Sequence, residues 1–420
     1  MRYDVLVVGA GIVGVSIALH LQAAGRSVVL IDKTGAAGTG TSYGNAGLVE
    51  RASLIPYSFP RSLSEIFRYA LNSSADARYH ASFLPRIAPF LFSYWRHSSP
   101  ARLAQATRDL LPLFESSVSE HDEFLKDSPA AAALFSRKGW IKAFKDHRGL
   151  ASAVTDAKAL ADHGLNWDVL DVKGLAEAEP HITQMVGAIH WRDPITTADP
   201  GAVTAAYADL FIARGGKLVE GDASTLRLEG RYWEVLADRQ IIKAGEAVVA
   251  AGPWSVEILR ELGHSFPMAV KRGYHMHYTP EAGAFLNHPI LDATTGYVLA
   301  PMKNGIRLTT GVEIAPRDAK PTPVQIDLAE IAARRIFPLG RRVEAEPWMG
   351  FRPVFSDMRP AIGQILSNRG LWVAFGHGHH GFTLGPATGR LLAEMMCGKQ
   401  PFMDPTPYSP NRFRGKRGLT

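Results

Sequence analysis

The sequence has almost no cysteine, since Cys397 is the only one among 420 residues. A single thiol excludes an intramolecular disulfide framework and a zinc site built from cysteines, and it favours a reducing compartment. A large excess of one charge is also lacking, because 46 basic and 40 acidic residues leave a net charge of +6. This near balance argues against an extended nucleic-acid-binding face, and no nucleic-acid partner is predicted. Positive charge is concentrated only at the carboxyl end, where a solvated basic terminus is predicted from Arg412, Arg414, Lys416 and Arg417.

Long hydrophobic runs are missing as well. No stretch approaches the roughly 18 consecutive apolar residues of a membrane-spanning helix, so none is predicted. The most apolar segment, residues 5–19, follows Asp4, contains three glycines and precedes no clean cleavage site. Because this is not the pattern of a signal peptide, we predict a cytoplasmic protein.

The first 32 residues have the pattern of a strand, a glycine turn, a helix and a second strand. Residues 3–8 are a β-branched run typical of a buried strand, residues 15–24 predict a helix, and residues 27–31 predict a second buried strand. Asp32 stands at the end of that second strand. A βαβ unit of this length, with glycines in its first turn, is the pattern of a nucleotide-binding fold.

Each glycine of that turn meets a requirement of dinucleotide binding. Gly9 permits the tight turn, Gly11 lets the backbone approach a pyrophosphate, and Gly14 lets the helix pack against the sheet. The helix N-terminus offers free N–H groups to the phosphates, and Asp32 is placed to accept hydrogen bonds from a ribose hydroxyl. Because an acid here disfavours a 2′-phosphate, NADP is disfavoured, whereas FAD and NAD both remain open.

Two later segments are also suited to contact a flat cofactor. Residues 35–47 are small and polar, and Thr41, Ser42 and Asn45 offer hydrogen-bond donors along them, although an ordinary loop has the same composition. Residues 247–254 predict a buried strand that ends in a glycine turn, which gives the backbone a further approach to the cofactor.

A second glycine pattern lies near the carboxyl end. A predicted strand at 371–375 precedes glycines at the spacing G-x-G-x-x-G in residues 376–381, and residues 388–396 predict a helix. Only 39 of the 420 residues follow this pattern, too few for a second nucleotide-binding unit. The loop and the helix N-terminus are therefore predicted to lie against the same cofactor. Its three histidines lack a cysteine or carboxylate at ligand spacing, so no metal site is predicted.

The middle of the chain mixes helical and strand patterns. Residues 61–135 are mostly helix-forming, and their aromatic-rich stretch 83–95, bordered by arginines, either lies on a membrane surface or is a helix face in the core. Residues 273–278, 297–301 and 305–311 alternate with a period of two, which predicts a separate antiparallel sheet. Further predicted elements are helices at 202–213 and 323–336 and strands at 217–220 and 231–236.

In this order and at this spacing, the motifs resemble those of the FAD-dependent D-amino-acid oxidase superfamily, and above all those of bacterial D-amino-acid dehydrogenases of the small-subunit type. Glycine oxidase and sarcosine oxidase are broader relatives. Besides the N-terminal unit and the helical stretch, the segments that carry the resemblance are Thr41-Ser42 with Asn45-Ala46-Gly47, Ala250-Ala251-Gly252-Pro253-Trp254, Arg272-Gly273-Tyr274, Gly350-Phe351-Arg352-Pro353 and Gly376-His377-Gly378.

The resemblance implies an α/β fold in which a glutathione-reductase-like Rossmann domain of the D-amino-acid oxidase type binds FAD noncovalently. An inserted α+β substrate domain then carries the antiparallel sheet. The implied FAD-binding domain comprises 1–60, 200–265 and 345–420, and the substrate domain comprises 61–199 and 266–344 with a helical insertion at 61–135. The residues implied to bind FAD are Gly9, Gly11, Ile12, Val13, Gly14, Asp32, Lys33, Thr41, Ser42, Asn45, Ala46, Gly47, Ala251, Gly252, Trp254, Gly378, His380, Gly381, Phe382 and Thr383.

The resemblance also implies residues for the substrate. Arg352 matches the family position that binds the substrate carboxylate, a task suited to the guanidinium fork, although a surface ion pair is the alternative. Tyr297 lies within about one residue of a family tyrosine that assists carboxylate binding, and Tyr274 either lines the pocket or packs in the core. His379 and His380 stand where a side chain can reach the substrate. The usual Pro-Asp-Gly after the Arg-Pro pair reads Ser356-Asp357-Met358, a departure that concerns the substrate and not the cofactor.

The activity that the resemblance implies is FAD-dependent oxidative deamination of a D-amino acid. A hydride passes from Cα to flavin N5, the imine is hydrolysed to a 2-oxo acid and ammonia, and the electrons go to a quinone or another carrier of the respiratory chain. One alternative substrate is a cyclic imino acid such as D-hydroxyproline, or an opine or other N-alkyl amino acid. Another alternative is the flavin subunit of a heteromeric amine dehydrogenase. The apolar stretch 83–95 adds the expectation of peripheral contact with the inner face of the membrane, and the oligomeric state stays open.

Overall fold

The computed structural model describes residues 2–160, 163–281 and 283–415. Its strands are β1 (Arg2–Val8), β2 (Val28–Asp32), β3 (Leu48–Val49), β4 (Ala77–Tyr79), β5 (Phe135–Ser136), β6 (Trp140–Phe144), β7 (Trp167–Leu170), β8 (Gly187–Trp191), β9 (Ile195–Thr197), β10 (Lys217–Glu229), β11 (Tyr232–Ala237), β12 (Gln240–Val249), β13 (Met268–Pro280), β14 (Ile290–Asp292), β15 (Tyr297–Met302), β16 (Gly305–Thr309), β17 (Val312–Ile314), β18 (Leu339–Arg342), β19 (Trp348–Phe355), β20 (Ala361–Gln364) and β21 (Leu371–Phe375).

Its α-helices are α1 (Ile12–Ala23), α2 (Leu63–Ala70), α3 (Leu84–His97), α4 (Pro100–Glu115), α5 (Ser117–Asp127), α6 (Pro129–Ala132), α7 (His147–Lys158), α8 (Val172–Ala178), α9 (Pro200–Ala213), α10 (Ser255–Glu261), α11 (Val324–Ala333) and α12 (Gly381–Met396). Short 3-10 helices cover Ala81–Phe83, Gly252–Trp254, Thr406–Tyr408 and Pro410–Phe413.

A seven-stranded sheet contains the predicted βαβ unit. Strands β10, β2, β1, β12 and β21 run parallel in that order, and β20 pairs antiparallel with β21 at the edge. Val8 of β1 lies opposite both Ile31 of β2 and Val249 of β12. The carboxyl ends of three neighbouring strands therefore meet at one edge of the sheet, which is where ligands bind in open α/β sheets. The predicted α/β fold of the Rossmann type is confirmed.

Helix α1 packs closely against the sheet on one side and against α12 on the other, and a glycine makes each contact possible. A Cβ on Gly14 would overlap the carbonyl oxygen of Gly9, so the first turn of α1 lies directly on the end of β1. On the other side, a Cβ on Gly389 of α12 would lie 2.7 Å from the carbonyl carbon of Ser16. Side chains at these positions would push both helices away from the sheet edge.

Helix α12 begins earlier than the sequence predicts, at Gly381 instead of residue 388. The helix contains Pro386, which has no N–H to donate to the carbonyl of Phe382. His121 of α5 supplies the missing donor, since its Nε2 lies 3.0 Å from the Phe382 oxygen. Burial lowers the pKa of His121 to about 4, and its neutral ring accepts at Nδ1 from the Tyr207 hydroxyl at 2.9 Å. A partner distant in sequence thus replaces the lost helical hydrogen bond.

An eleven-stranded mixed sheet contains the three strands that the alternating pattern predicts. Strand β13 pairs antiparallel with β16, and β16 pairs antiparallel with β15, so the predicted antiparallel pairing is confirmed. On its other edge β13 pairs with β19 over eight residues, which brings Lys271 opposite Arg352. Strand β19 thus joins this sheet although its residues belong to the implied FAD-binding segment 345–420. The division of the chain into the two domains stays a prediction.

The segment 61–135 is helical as predicted, and it contains α2 to α6. Within the aromatic stretch of α3, Ile87, Phe90 and Tyr94 are buried, so the interpretation as a core face holds for this side of the helix. Phe92 and Trp95 are exposed on its other side, with their rings stacked. No helix among the described residues combines the length and the apolar character needed to cross a bilayer.

The prediction of a wholly solvated basic terminus is wrong for Arg412. Its Nε lies 2.8 Å from Asp357 Oδ2, and its Nη2 donates to the carbonyl oxygen of Arg359 at 2.8 Å. Arg412 thereby ties the end of the chain to the Ser356-Asp357-Met358 segment and lowers the pKa of Asp357. Two of the other basic residues, Lys416 and Arg417, lie outside the described residues.

Candidate functional site

A cavity of about 1260 Å³ lies between the carboxyl edge of the seven-stranded sheet and one face of the eleven-stranded sheet. Of the residues that the sequence assigns to the cofactor, Gly14 and Gly47 do not line this cavity, and the others do. Of the residues assigned to the substrate, Arg352, Tyr274, His379 and His380 line it, whereas Tyr297 does not. The fold therefore brings most of the predicted site into one enclosed space.

The glycine turn forms one end of the cavity. Gly9 has a φ of +104°, and a Cβ there would lie 2.6 Å from the carbonyl oxygen of Ala250. Asp32 Oδ2 accepts a hydrogen bond from the backbone N–H of Ala10 at 3.0 Å, and Ser42 Oγ accepts one from Ile12 at 3.0 Å. These bonds hold the polar loop of residues 35–47 and the carboxylate of Asp32 beside the N-terminus of α1.

The two glycines outside the cavity shape the backbone around it. Gly14 is the contact of α1 with Gly9 described above. Gly47 has a φ of +76°, and a Cβ there would overlap the carbonyl oxygen of Thr197. Its N–H donates to Asn45 Oδ1 at 2.8 Å, which closes the turn before β3.

The N-terminus of α12 opens onto the other side of the cavity. His380 is the residue before the helix and makes no capping hydrogen bond with its side chain, while Phe382 and Thr383 of the first turn line the cavity. The free N–H groups and the dipole of a 16-residue helix favour negative charge at this point. Gly378 donates its N–H to Pro353 at 2.7 Å, so the glycine loop before the helix is attached to β19.

Arg352 reaches the cavity from β19. Its guanidinium donates to the carbonyl oxygens of Gly311 at 2.6 Å and Thr310 at 3.2 Å. Burial lowers the pKa of Arg352, and no carboxylate of the described residues is near enough to offset that effect. A half-buried guanidinium with two carbonyl partners and no acid partner is prepared to bind an anion.

Two glycines make room for that guanidinium on the cavity side of the sheet. Gly273 and Gly350 lie opposite each other on β13 and β19, next to the Lys271–Arg352 pair. A Cβ on Gly273 would lie 2.6 Å from both terminal nitrogens of Arg352, and a Cβ on Gly350 would overlap the indole of Trp348. The guanidinium and the indole therefore lie flat on bare backbone, which we call the glycine floor.

Of the two predicted tyrosines, Tyr274 lines the cavity and Tyr297 does not. The hydroxyl of Tyr274 donates to Glu313 Oε2 at 2.7 Å and accepts from Arg272 and from the N–H of Thr322, so it belongs to a buried network away from the glycine floor. Tyr297 is 1 % exposed, and burial followed by the charge of Asp292 raises its pKa. Both side chains are held inside the eleven-stranded sheet.

His379 and His380 sit between the glycine loop and α12 with polar atoms unused. Neither Nε2 has a hydrogen-bond partner among the described residues. Burial lowers the pKa of His380 to about 3, and burial together with the charges of His380, Arg352 and Lys271 lowers that of His379 well below its usual value. Both rings are therefore neutral at physiological pH and have hydrogen-bonding capacity left for a ligand.

Several further residues line the cavity that no sequence motif singled out. Tyr57 projects into it and packs against His379, with ring centres 4.7 Å apart, and partial desolvation and the charge of Glu50 raise its pKa to about 12. Glu50 accepts a hydrogen bond from Ser53, and the positive charge of Lys142 favours the ionised form of the Glu50 carboxyl. The sequence feature that could have pointed to Glu50 is its position three residues after Gly47.

Met358 completes this wall at the place where the family motif has glycine. It has a φ of +63° and lines the cavity. The left-handed backbone of the glycine is thus kept, at a cost of about 1–2 kcal/mol for a residue with a Cβ. The departure noted in the sequence changes the side chain that faces the ligand and leaves the turn in place.

Glu50 should make the protein less stable as the pH rises. Burial raises the pKa of Glu50 from the usual 4.5 to about 7, so the native state holds a proton that the unfolded chain has lost between these values. The free energy of unfolding then decreases with rising pH across this window. Glu50→Gln removes this contribution, so the variant should gain on the order of 2 kcal/mol relative to the wild type between pH 5 and pH 8, measured by urea denaturation. Exposed Glu229→Gln serves as the control, and parallel curves for Glu50→Gln and wild type would refute the assignment.

The lining fits an elongated, flat dinucleotide. Backbone without side chains at Gly9 and Gly11 faces one end, and a helix N-terminus faces the other. Four buried donors or acceptors of lining residues lack partners among the described residues, namely Asp76 Oδ1, Trp140 Nε1, His379 Nε2 and His380 Nε2. A ligand with phosphates at the turn and a polar ring system near α12 would satisfy the features at both ends.

Comparison with known proteins decides which dinucleotide this is. Residues 4–395 match the model of the FAD dependent oxidoreductase family. The chain belongs to this family. A D-amino-acid oxidase of Bradyrhizobium diazoefficiens is 32% identical over 97% of this chain and 98% of its own length. A D-amino acid dehydrogenase of Chromohalobacter salexigens is 26% identical over 98% of this chain and 99% of its own.

The fold comparison agrees with this family. The crystal structure of glycine oxidase from Geobacillus kaustophilus superposes with a TM-score of 0.71 and 21% identity, and it covers 99% of this chain and 100% of its own. The predicted resemblance to the D-amino-acid oxidase superfamily is confirmed, and FAD is the cofactor of this FAD dependent oxidoreductase. Cys397 follows the far end of α12 and does not line the cavity, so no cysteinyl link to the flavin forms.

Proposed function

We propose that this FAD dependent oxidoreductase oxidises the Cα–N bond of a D-amino acid to the imino acid, which water then hydrolyses to a 2-oxo acid and ammonia. The observation that carries the proposal is Arg352, a half-buried guanidinium without an acid partner among the described residues, on the wall of the cofactor cavity. Its geometry suits a carboxylate, the group that all amino-acid substrates share. The names of the relatives at 32% and 26% identity supply the D configuration and the reaction type.

The residues of the chain contribute mainly by orientation. When bound, FAD accepts two electrons and the hydrogen of the substrate Cα. Arg352 holds the carboxylate with the N–H groups that its two carbonyl partners leave free, which fixes the direction of Cα–H. Such positioning supplies several kcal/mol of a reaction barrier.

Proton transfer does not require a strong base in this site. His379 is neutral and unprotonated because burial and neighbouring cations lower its pKa. The positive field of Arg352 and Lys271 disfavours an ammonium group beside them, so the amine is bound in the form with a free electron pair. Tyr57 packs against His379 and lines this side of the cavity.

The test is anaerobic reduction of the bound flavin, followed by loss of its yellow absorbance. D-amino acids, L-amino acids, D-hydroxyproline, an opine and N-methyl amino acids are compared at equal concentration. We expect D-amino acids to bleach the flavin fastest. Faster bleaching by D-hydroxyproline or the opine would identify that compound as the substrate in place of a D-amino acid. A yellow protein that no amine bleaches would favour the flavin subunit of a heteromeric amine dehydrogenase.

Gly273→Ala should weaken substrate binding without loss of cofactor. The new Cβ would displace the guanidinium of Arg352 from its place on the glycine floor. Because an error of about 1 Å in such a group costs up to a hundredfold in rate, kcat/KM should fall roughly tenfold to a hundredfold. Steady-state kinetics and the flavin content of the same preparation measure both effects. Gly230→Ala is the matched control, since its Cβ meets no atom within 4 Å, and equal kinetics for the two variants would contradict the role of the floor.

We propose further that the electrons pass to a quinone or another respiratory carrier, with the protein in the cytoplasm at the inner face of the membrane. The support is an apolar patch on α2, where Leu63, Phe67 and Leu71 are 85 %, 67 % and 62 % exposed. Arg61 and Arg68 flank these side chains, a combination that suits an anionic lipid surface.

Replacing Leu63 and Phe67 together by serine should abolish sedimentation with anionic vesicles. The substitution removes the exposed apolar side chains and leaves the arginines, so a purely electrostatic attachment would persist in the variant. Wild type that stays in the supernatant at low salt would refute the membrane contact. Reduction rates with a soluble quinone analogue, compared with those with oxygen, test the acceptor separately.

A further inference from the structure

The cavity has a second cation beside Arg352. Lys271 lies directly opposite Arg352 in the antiparallel pairing of β13 with β19, and both line the cavity. Side chains of directly opposed residues project from the same face of a sheet, with Cβ atoms about 5 Å apart. The carboxylate binding proposed above uses the guanidinium alone, so Lys271 has no assigned contact with the substrate.

Neither cation has an acid for a partner among the described residues. Arg352 donates to two carbonyl oxygens, and Lys271 Nζ donates to the Tyr94 hydroxyl at 3.1 Å while lying 4.2 Å from the centre of that ring. Of the acids that line the cavity, Glu50 accepts a hydrogen bond from Ser53, Asp32 accepts one from the N–H of Ala10, and Asp76 pairs with Arg68. Two positive charges therefore face the same space with one carboxylate of the proposed substrate to balance them.

The electrostatic environment of His379 indicates that the charged ends of Arg352 and Lys271 lie near the same ring. Both Arg352 and Lys271 lower the pKa of His379, so both lie within electrostatic reach of this one ring. The ring is neutral, and its buried Nε2 has no hydrogen-bond partner in the described structure. An unused polar atom within the field of two cations that lack an acid partner indicates room for an anionic group of a ligand.

We propose that the substrate is a dicarboxylic amino acid, with its α-carboxylate on Arg352 and its second carboxylate on Lys271 and His379. The inference rests on the proposed amino-acid oxidation and names its substrate class. The second carboxylate belongs either to the side chain of an acidic D-amino acid or to an N-carboxyalkyl group, and the same two cations serve both. The ammonium of Lys271 keeps its contact with Tyr94, which holds it at the cavity wall while it binds the ligand.

The experiment compares ligands of equal shape and different charge on the holoenzyme. Values of kcat/KM are measured for D-glutamate against D-glutamine, for D-aspartate against D-asparagine, and for iminodiacetate against N-methylglycine. We expect the acid to exceed its neutral counterpart at least tenfold in one or more pairs. The pair with the largest ratio shows whether the second carboxylate is on the side chain or on the nitrogen.

Variants assign the preference to Lys271. Lys271→Met should reduce the ratio of acid to neutral substrate at least tenfold, and Lys271→Arg should restore it because the charge returns. Lys303→Met is the matched control, since Lys303 is exposed in the turn between β15 and β16 and its loss changes net charge equally. The ratio should be unchanged in this control.

The outcomes separate this inference from the proposed function. Oxidation of neutral D-amino acids with no preference for acids would overturn the dicarboxylate alone. A preference for acids that survives in Lys271→Met would show that Lys271 does not bind the second carboxylate. A holoenzyme whose flavin no amino acid reduces would overturn the proposed function itself, and the inference with it.

Discussion

Replacing Arg352 by methionine should lower kcat/KM for the amino-acid substrate about a thousandfold, mostly through KM, while the flavin stays bound. The variant removes the guanidinium that the carbonyl oxygens of Gly311 and Thr310 hold on the glycine floor. Loss of one partner of a desolvated, hydrogen-bonded charge pair costs about 2–5 kcal/mol, and roughly 4 kcal/mol corresponds to three powers of ten. Methionine keeps much of the length and apolar surface of the arginine, so the change tests charge and hydrogen bonding.

Two controls define this result. Arg352→Lys keeps a positive charge and loses the planar fork, so it should recover only a small part of the activity. Flavin content and the visible spectrum should equal those of the wild type in both variants, because the glycine turn lies at the other end of the cavity. Unchanged KM in Arg352→Met would remove this residue from the substrate site.

Gly14→Ala should yield a protein without flavin, or none that folds. A Cβ at this position overlaps the carbonyl oxygen of Gly9, an atom of the glycine turn that lines the cavity. Both partners are backbone held in the sheet and in α1, so no side-chain rotation can relieve the overlap. The cost is roughly 3 kcal/mol or more, the upper end of what overpacking of a core produces.

The measurement is the ratio of bound FAD to protein after purification, together with the melting temperature of the apoprotein. Gly230→Ala again provides the comparison, because its left-handed backbone is strained by a Cβ while no neighbour is touched. That variant should lose about 1 kcal/mol and retain its flavin. Full flavin occupancy in Gly14→Ala would mean that α1 can shift away from the sheet without affecting the site.

Local sequence patterns were sufficient for the nucleotide end of the site. The β1–α1–β2 unit and Asp32 depend on a short stretch with period-two and helical patterning, and the glycines are required wherever backbone meets backbone. Helix α12 was harder, because Pro386 argues against a helix and its compensation comes from His121 in another helix. No sequence feature near Pro386 indicates that His121 supplies the hydrogen-bond donor.

The substrate end depends on register, which a single sequence does not display. The face on which a strand residue lies changes with every position, so an uncertainty of one residue decides whether a side chain meets the ligand. Tyr297 lies outside the cavity, and the hydroxyl of Tyr274 is engaged with Glu313 and Arg272, while Lys271 stands opposite Arg352 because β13 pairs with β19 at that register. No motif includes Lys271, Glu50 or Tyr57.

The glycine floor has a consequence for how this pocket can diversify. Since Gly273 and Gly350 contribute only peptide groups, the surface beneath the ligand offers no side chain to exchange. Variation in substrate choice must then come from side chains on the other walls of the cavity, such as Tyr57, Tyr94 and Met358. Mutant libraries directed at these three positions would sample new specificities while the strands that anchor Arg352 stay constant.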